Sequence, residues 1–155
     1  MKRTLFFLLF ILAAYVKGQT PYLLKDVNSS GAAVSSSPSH TIEVGGSIYF
    51  VARDAASGSE LWKTDGTTSG TSLVKDINTG SLGSRITALT DTGSFIIFGA
   101  INSLNGDRTL WRSDGTLLGT QEINNVNLRD GYPNLNFIQV ENSIFFSAEN
   151  NLNGI

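Results

Sequence analysis

The stretch Leu61-Trp62-Lys63-Thr64-Asp65-Gly66-Thr67 returns 49 residues later as Leu110-Trp111-Arg112-Ser113-Asp114-Gly115-Thr116, and Gly70-Thr71 returns as Gly119-Thr120 at the same offset. Upstream, Leu24-Lys25-Asp26-Val27-Asn28 returns as Val74-Lys75-Asp76-Ile77-Asn78, with a weaker echo at Ile123-Asn124-Asn125-Val126-Asn127. The apolar run Ile48-Tyr49-Phe50-Val51-Ala52 reappears as Ile96-Ile97-Phe98-Gly99-Ala100 and as Ile144-Phe145-Phe146-Ser147-Ala148, 48 residues apart each time. A chain built this way folds as small units that cannot bury their apolar faces alone and must stack on one another. The period is 48 to 50 residues.

Four short extended segments fit within one period. The first, His40 to Val44, ends at Gly45-Gly46. The second, Ile48 to Arg53, is rich in β-branched and aromatic residues. The third, Glu60 to Thr64, closes at Asp65-Gly66, a hairpin signal. The fourth is Leu73 to Ile77. No stretch after residue 18 keeps a 3.6-residue apolar period long enough for a helix. Four antiparallel strands per 40 to 50 residues is the arithmetic of a β-propeller blade. The unbroken apolar second strand suits a sheet covered on both faces. Lys75 and Asp76, adjacent and hence on opposite faces, suit an outer edge strand wet on both sides. The expected fold is all-β, a partial propeller with two full repeats and a truncated third, at about 23–72, 73–121 and 122–155.

The start of the chain reads as an address. Lys2 and Arg3 precede an apolar run from Leu5 to Val16, too short for the roughly 20 residues of a membrane span. The run fits the core of a secretory signal peptide, with cleavage after Gly18. Residues 1–18 are therefore read as a signal peptide and 19–155 as the repeat region, and the protein is expected to be secreted, to the cell surface, the extracellular space or the periplasm. Without Lys2, Arg3 and Lys17 the remaining 8 basic residues face 13 acidic ones. That acidic balance argues against a nucleic-acid binder, which needs basic groups to neutralise phosphates. The absence of Cys excludes disulfides, thiolate zinc sites and thiol nucleophiles.

Trp62 and Trp111 recur at one position, which points to packing between units in preference to a platform for stacking a sugar ring. Asp65-Gly66-Thr67 and Asp114-Gly115-Thr116 contain hard oxygen ligands, yet calcium takes 6–8 oxygens and each motif offers one carboxylate. Turn chemistry explains them better: the Asp accepts backbone N–H groups and the Gly takes a positive φ. His40 has no counterpart in the repeat, and Glu43, Asp54, Asp91, Asp107, Arg85 and Arg129 form no constellation. No catalytic, metal or cofactor residues are assigned. Leu61, Trp62, Asp65, Gly66, Thr67, Leu110, Trp111, Asp114, Gly115 and Thr116 are read as structural repeat positions.

Glu60-Leu61-Trp62-Lys63-Thr64-Asp65-Gly66-Thr67, followed by Gly70-Thr71 and Leu73-Val74-Lys75-Asp76-Ile77, resembles the ELWxxDGT repeat family. The second copy carries Thr109 in place of the Glu. The resemblance runs from Leu23 to Ile155 and implies an exported bacterial protein with tandem repeats of propeller type and no established enzymatic activity. The expected function is non-catalytic binding, adhesion or surface structure, with a glycan or protein ligand; the alternative is an extracellular carbohydrate-active propeller enzyme. Since propellers close with 4–8 blades, the remaining blades are expected in cis, from a longer chain. An open array would bare Ile144, Phe145 and Phe146 on a terminal face. The segment Tyr22 to Val27 is expected to be the outer strand of the final blade.

Overall fold

The computed structural model describes residues 23–29, 35–102, 106–128, 137–141 and 143–148. The signal-peptide segment, Tyr22 and Arg129 lie outside them. Ten strands follow in chain order: β1 (Ser39–Val44), β2 (Ser47–Asp54), β3 (Gly58–Thr64), β4 (Ser72–Lys75), β5 (Thr87–Asp91), β6 (Ile96–Ile101), β7 (Arg108–Ser113), β8 (Gln121–Asn127), β9 (Ile138–Val140) and β10 (Ser143–Phe145). They form two four-stranded antiparallel sheets, ordered β1-β2-β3-β4 and β5-β6-β7-β8, and a β9–β10 hairpin sheet. The described residues are all-β, with no helix.

The sheets stack because their central strands are apolar on both faces. On β2, Tyr49 and Val51 turn toward the second sheet, where they meet Ile96, Phe98, Ala100 and Trp111, joined by Leu61, Val74, Ile77 and Ile86. Ile48, Phe50 and Ala52 alternate onto the opposite face. On the second sheet, Ile97 and Leu110 turn the other way and pack against Phe137, Ile144 and Phe146 beside the third sheet. One sheet thus serves two cores. The first strands of the two sheets, β1 and β5, run beside each other.

Three expectations change here. The fourth strand ends at Lys75 and does not reach Ile77. The Ile77 and Asn78 amides leave the ladder because they donate to the Glu60 carboxylate, at 3.2 and 3.3 Å. Lys75 is no solvated edge charge: its Nζ donates to the Thr120 carbonyl at 2.8 Å and stands 5.6 Å from the centre of the Trp111 ring. On the third sheet, Phe145 is bare, but Ile144 and Phe146 are half-buried against the second sheet, with Phe137 and Phe146 edge-to-face at 5.5 Å.

Residues 23–29 form no strand. They are tethered to the first sheet by Lys25, whose Nζ donates to the Thr71 carbonyl at 2.6 Å, and by Thr68, whose hydroxyl donates to the Leu24 carbonyl at 2.9 Å. The Lys25–Thr71 contact stands to the first sheet as Lys75–Thr120 stands to the second. The segment therefore lies against the first sheet as β4 lies against the second.

Candidate functional site

The two Asp-Gly-Thr segments fold identically. Asp65 Oδ1 accepts the Thr67 amide at 2.9 Å and its hydroxyl at 2.7 Å, and Asp114 Oδ1 accepts the same groups of Thr116 at the same distances. The Gly66 amide donates to Thr64 Oγ1 and the Gly115 amide to Ser113 Oγ, both at 3.0 Å. Thr67 Oγ1 accepts the Gly70 amide and Thr116 Oγ1 the Gly119 amide, both at 2.9 Å. Beneath each turn two hydroxyls close the hairpin at 2.7 Å, Thr64 with Thr71 and Ser113 with Thr120. Gly66 and Gly115 sit at φ 86° and 82°. The connection spans 65–71, longer than a two-residue turn, because the Thr hydroxyls extend the network to Gly70 and Thr71. Hydrogen bonds from the Thr67 hydroxyl and amide hold the Asp65 carboxyl below its ordinary range, and those from Thr116 do the same for Asp114, with Lys63 adding a smaller pull.

Gly70 and Gly119 are required for room, not for backbone angle. A Cβ on either would land inside the carboxylate of Asp65 or Asp114. Gly119→Ala is expected to displace Asp114 from Thr116 and lower the unfolding midpoint. Urea unfolding of this variant beside Leu118→Ala, at an exposed neighbour, checks it; equal midpoints would show that the turn adapts.

The second turn is held from the first sheet. Lys63 Nζ donates to the Gly115 carbonyl at 2.6 Å, and the Tyr49 hydroxyl reaches the Asp114 carbonyl at 3.5 Å, with its ring against Gly115. Burial of the Tyr49 phenol, with Asp114 beside it, raises its pKa. Leu61, Leu110, Trp62 and Trp111 are all buried, and Trp111 Nε1 donates to Thr109 Oγ1 at 3.0 Å. Trp62 Nε1 has no acceptor among the described residues. Its Thr109 counterpart is Glu60, whose carboxylate is engaged elsewhere.

Glu60 is the residue that sequence reasoning missed. It is fully buried, and its carboxylate accepts the Ser84 hydroxyl at 2.6 Å along with the Ile77 and Asn78 amides. Asn78 Nδ2 in turn donates to the Gly83 carbonyl at 2.6 Å. One carboxylate thereby pins both ends of the connection between the first and second sheets. Burial pushes this carboxyl from 4.5 up to about 7 against the lowering pull of its three donors, and Asp76 pushes in the same direction as burial. The only sequence signal was a Glu preceding Leu-Trp in one copy and a Thr in the other.

The remaining ionisable groups are dispersed. His40 is exposed, with Nδ1 3.1 Å from Ser39 Oγ. Asp54 caps its own turn through Ser57 and Ala56. Burial raises its pKa, and these hydrogen bonds outweigh that and lower it overall. Among the described residues no three His, Asp or Glu side chains converge as metal ligands. No helix there is long and apolar enough to cross a membrane. Compared with known protein families, curated proteins and solved structures, the chain matches none.

Proposed function

We propose that the chain is an exported, non-catalytic repeat protein of β-propeller type, each four-stranded sheet a blade, serving binding, adhesion or surface structure. The observation that carries this reading is where the motif chemistry goes. Asp65, Thr67, Asp114 and Thr116 spend their polar atoms inside their own turns, Trp111 is consumed between sheets, and Glu60 is consumed in a connector. Two sheets of one strand order stacked face to face, with their first strands side by side, support the blade reading. So does the resemblance of Glu60–Ile77 to the ELWxxDGT repeats. The surface left for a ligand is the set of exposed loops at the sheet ends, which suits a glycan or a protein segment.

A glycan array followed by a turnover assay on each hit tests this. Binding without product is the expected result. Release of a shortened or unsaturated sugar would overturn the non-catalytic reading in favour of a carbohydrate-active enzyme.

A further inference from the structure

Both repeats place a glycine directly after an exposed aspartate, Asp65-Gly66 and Asp114-Gly115. At this pair of residues a polypeptide readily attacks itself, because no side chain hinders the glycine nitrogen. That nitrogen adds to the aspartate Cγ and a five-membered succinimide closes. The N–Cγ bond forms, the bond from Cγ to the carboxyl hydroxyl breaks, and the hydroxyl leaves with the amide proton as one water. A water then opens the ring at either carbonyl. One opening restores aspartate; the other yields isoaspartate, with the main chain rerouted through Cβ and Cγ. The water released in the first step is matched by the water consumed in the second, so no other reactant is needed.

Three things must happen before the ring can close, and each turn opposes all of them. The glycine nitrogen must give up its proton, yet the Gly66 amide donates to Thr64 Oγ1 and the Gly115 amide to Ser113 Oγ, both at 3.0 Å. The carboxyl must swing back over the amide that follows it. Instead Asp65 Oδ1 is held forward by the Thr67 amide at 2.9 Å and hydroxyl at 2.7 Å, and Asp114 Oδ1 by the same groups of Thr116. The departing oxygen must carry a proton, and those same donors hold both carboxyls below their ordinary range, hence ionised.

The guarding hydroxyls are themselves fixed. Thr67 Oγ1 accepts the Gly70 amide and Thr116 Oγ1 the Gly119 amide, both at 2.9 Å. Both aspartates are exposed, so burial of the carboxyl contributes nothing. The restraint is the hydrogen bonding of the turn.

We propose that Asp65 and Asp114 are latent sites of isoaspartate formation, and that Thr67 and Thr116 are the positioning residues that hold them as aspartate. The threonine of each Asp-Gly-Thr segment then protects the peptide bond beside it as well as shaping the turn. This holds whatever the protein binds.

Incubating the folded chain near neutral pH, below its melting transition, tests this. The wild type is compared with Thr116→Val, Thr116→Ser and a free peptide spanning residues 110–120. Mass spectrometry of the digested chain reads the succinimide as the loss of one water, and fragmentation separates isoaspartate from aspartate at each position. Circular dichroism establishes that the variants are folded. Asp114 is expected to isomerise at least about tenfold faster in the peptide and in Thr116→Val than in the wild type, the factor that a charge-assisted hydrogen bond of ordinary strength supplies. Thr116→Ser keeps the hydroxyl and is expected to keep the protection. Asp65, in the same Thr116→Val molecules, is expected to stay at the wild-type rate, and Thr67→Val to reverse the pattern. A wild type that isomerises as fast as the peptide would overturn the proposal, because the turn would then give no protection. So would a folded Thr116→Val in which Asp114 is no faster than in the wild type. Equal acceleration at Asp65 and Asp114 in folded Thr116→Val would overturn it too, by assigning the protection to the fold as a whole.

Discussion

Replacing Glu60 by Ala is expected to destabilise the protein by about 3–5 kcal/mol, a large share of the 5–15 kcal/mol that holds a typical domain together. The loss comes from the donors more than from the removed side chain. The Ser84 hydroxyl and the Ile77 and Asn78 amides all point at this carboxylate, and without it they are buried and unpaired. The charge adds a pH dependence of definite sign. The folded state holds the Glu60 proton up to about pH 7, whereas the unfolded chain releases it near 4.5. Between those values the native state binds more protons, so stability falls as pH rises from about 5 to 8, by about 2–3 kcal/mol. Asp65, Asp114 and Asp54, held low in the folded state, contribute stability that is lost only as pH falls below their ordinary range. The expected profile therefore peaks between pH 4 and 5. Glu60→Gln removes the descending limb and leaves the acid limb in place. Thermal melts of both proteins from pH 2.5 to 8.5 check this, and parallel curves above pH 4.5 would show that Glu60 does not titrate there.

That such a residue escapes a reading of the sequence has a physical reason. Central strands announce themselves through apolar content, so Ile48 to Arg53 was legible to within a residue of β2, whereas the Asp65-Gly66 signal marked where the hairpin begins and not its seven-residue length. Glu60 lies in an Xaa-Leu-Trp context that marks a strand, but a buried carboxylate has no periodicity of its own. It is identified only by donors from residues 17 to 24 positions away. The first strands of the two sheets give the opposite case. Ser39–Val44 and Thr87–Asp91 share almost no side-chain pattern, yet His40 and Ala88 sit at φ 51° and 57°, and Ser37 and Arg85 at 42° and 48°. Both ladders shift register at the same place, between Ser39 and Ile42 and between Thr87 and Thr90. The Arg53 amide reaches the Ser36 carbonyl at 2.8 Å as Ile101 reaches Ser84 at 2.7 Å. Here the backbone carries the conformation through its own hydrogen bonds, and the side chains are free to drift. The sheet-to-sheet lysines were legible as recurring residues, but their carbonyl partners were not, because those depend on how one sheet is set against the next.

The connector that Glu60 holds also runs hard against the start of β3, and Gly58→Ala and Gly83→Ala are expected to be as damaging as the loss of the carboxylate. Gly58 opens β3 at φ 72°, and Gly83 lies in the connector at φ 74°. A Cβ on Gly58 would stand 2.5 Å from the Gly83 amide nitrogen and 2.7 Å from the Ser81 carbonyl oxygen; one on Gly83 would run into the Ser59 backbone. These obstacles are main chain on both sides, so no rotamer change relieves them, and the Ser84–Ser59 backbone hydrogen bond at 3.1 Å fixes the distance between the two segments. A left-handed residue without a glycine costs about 1 kcal/mol by itself. Forcing the segments apart also breaks the Ser59–Ser84 bond and draws Ser84 away from Glu60, for a total of about 3–4 kcal/mol. Because both substitutions separate the same two strands of chain, their effects should not add. The double variant is expected to lose little more than either single one. Urea denaturation of the two single variants and the double variant supplies the test, with Gly93→Ala as a control at similar φ in open space. A double variant whose loss equals the sum of the singles would show that the two glycines act in separate places, and that the connector is not clamped against the start of β3.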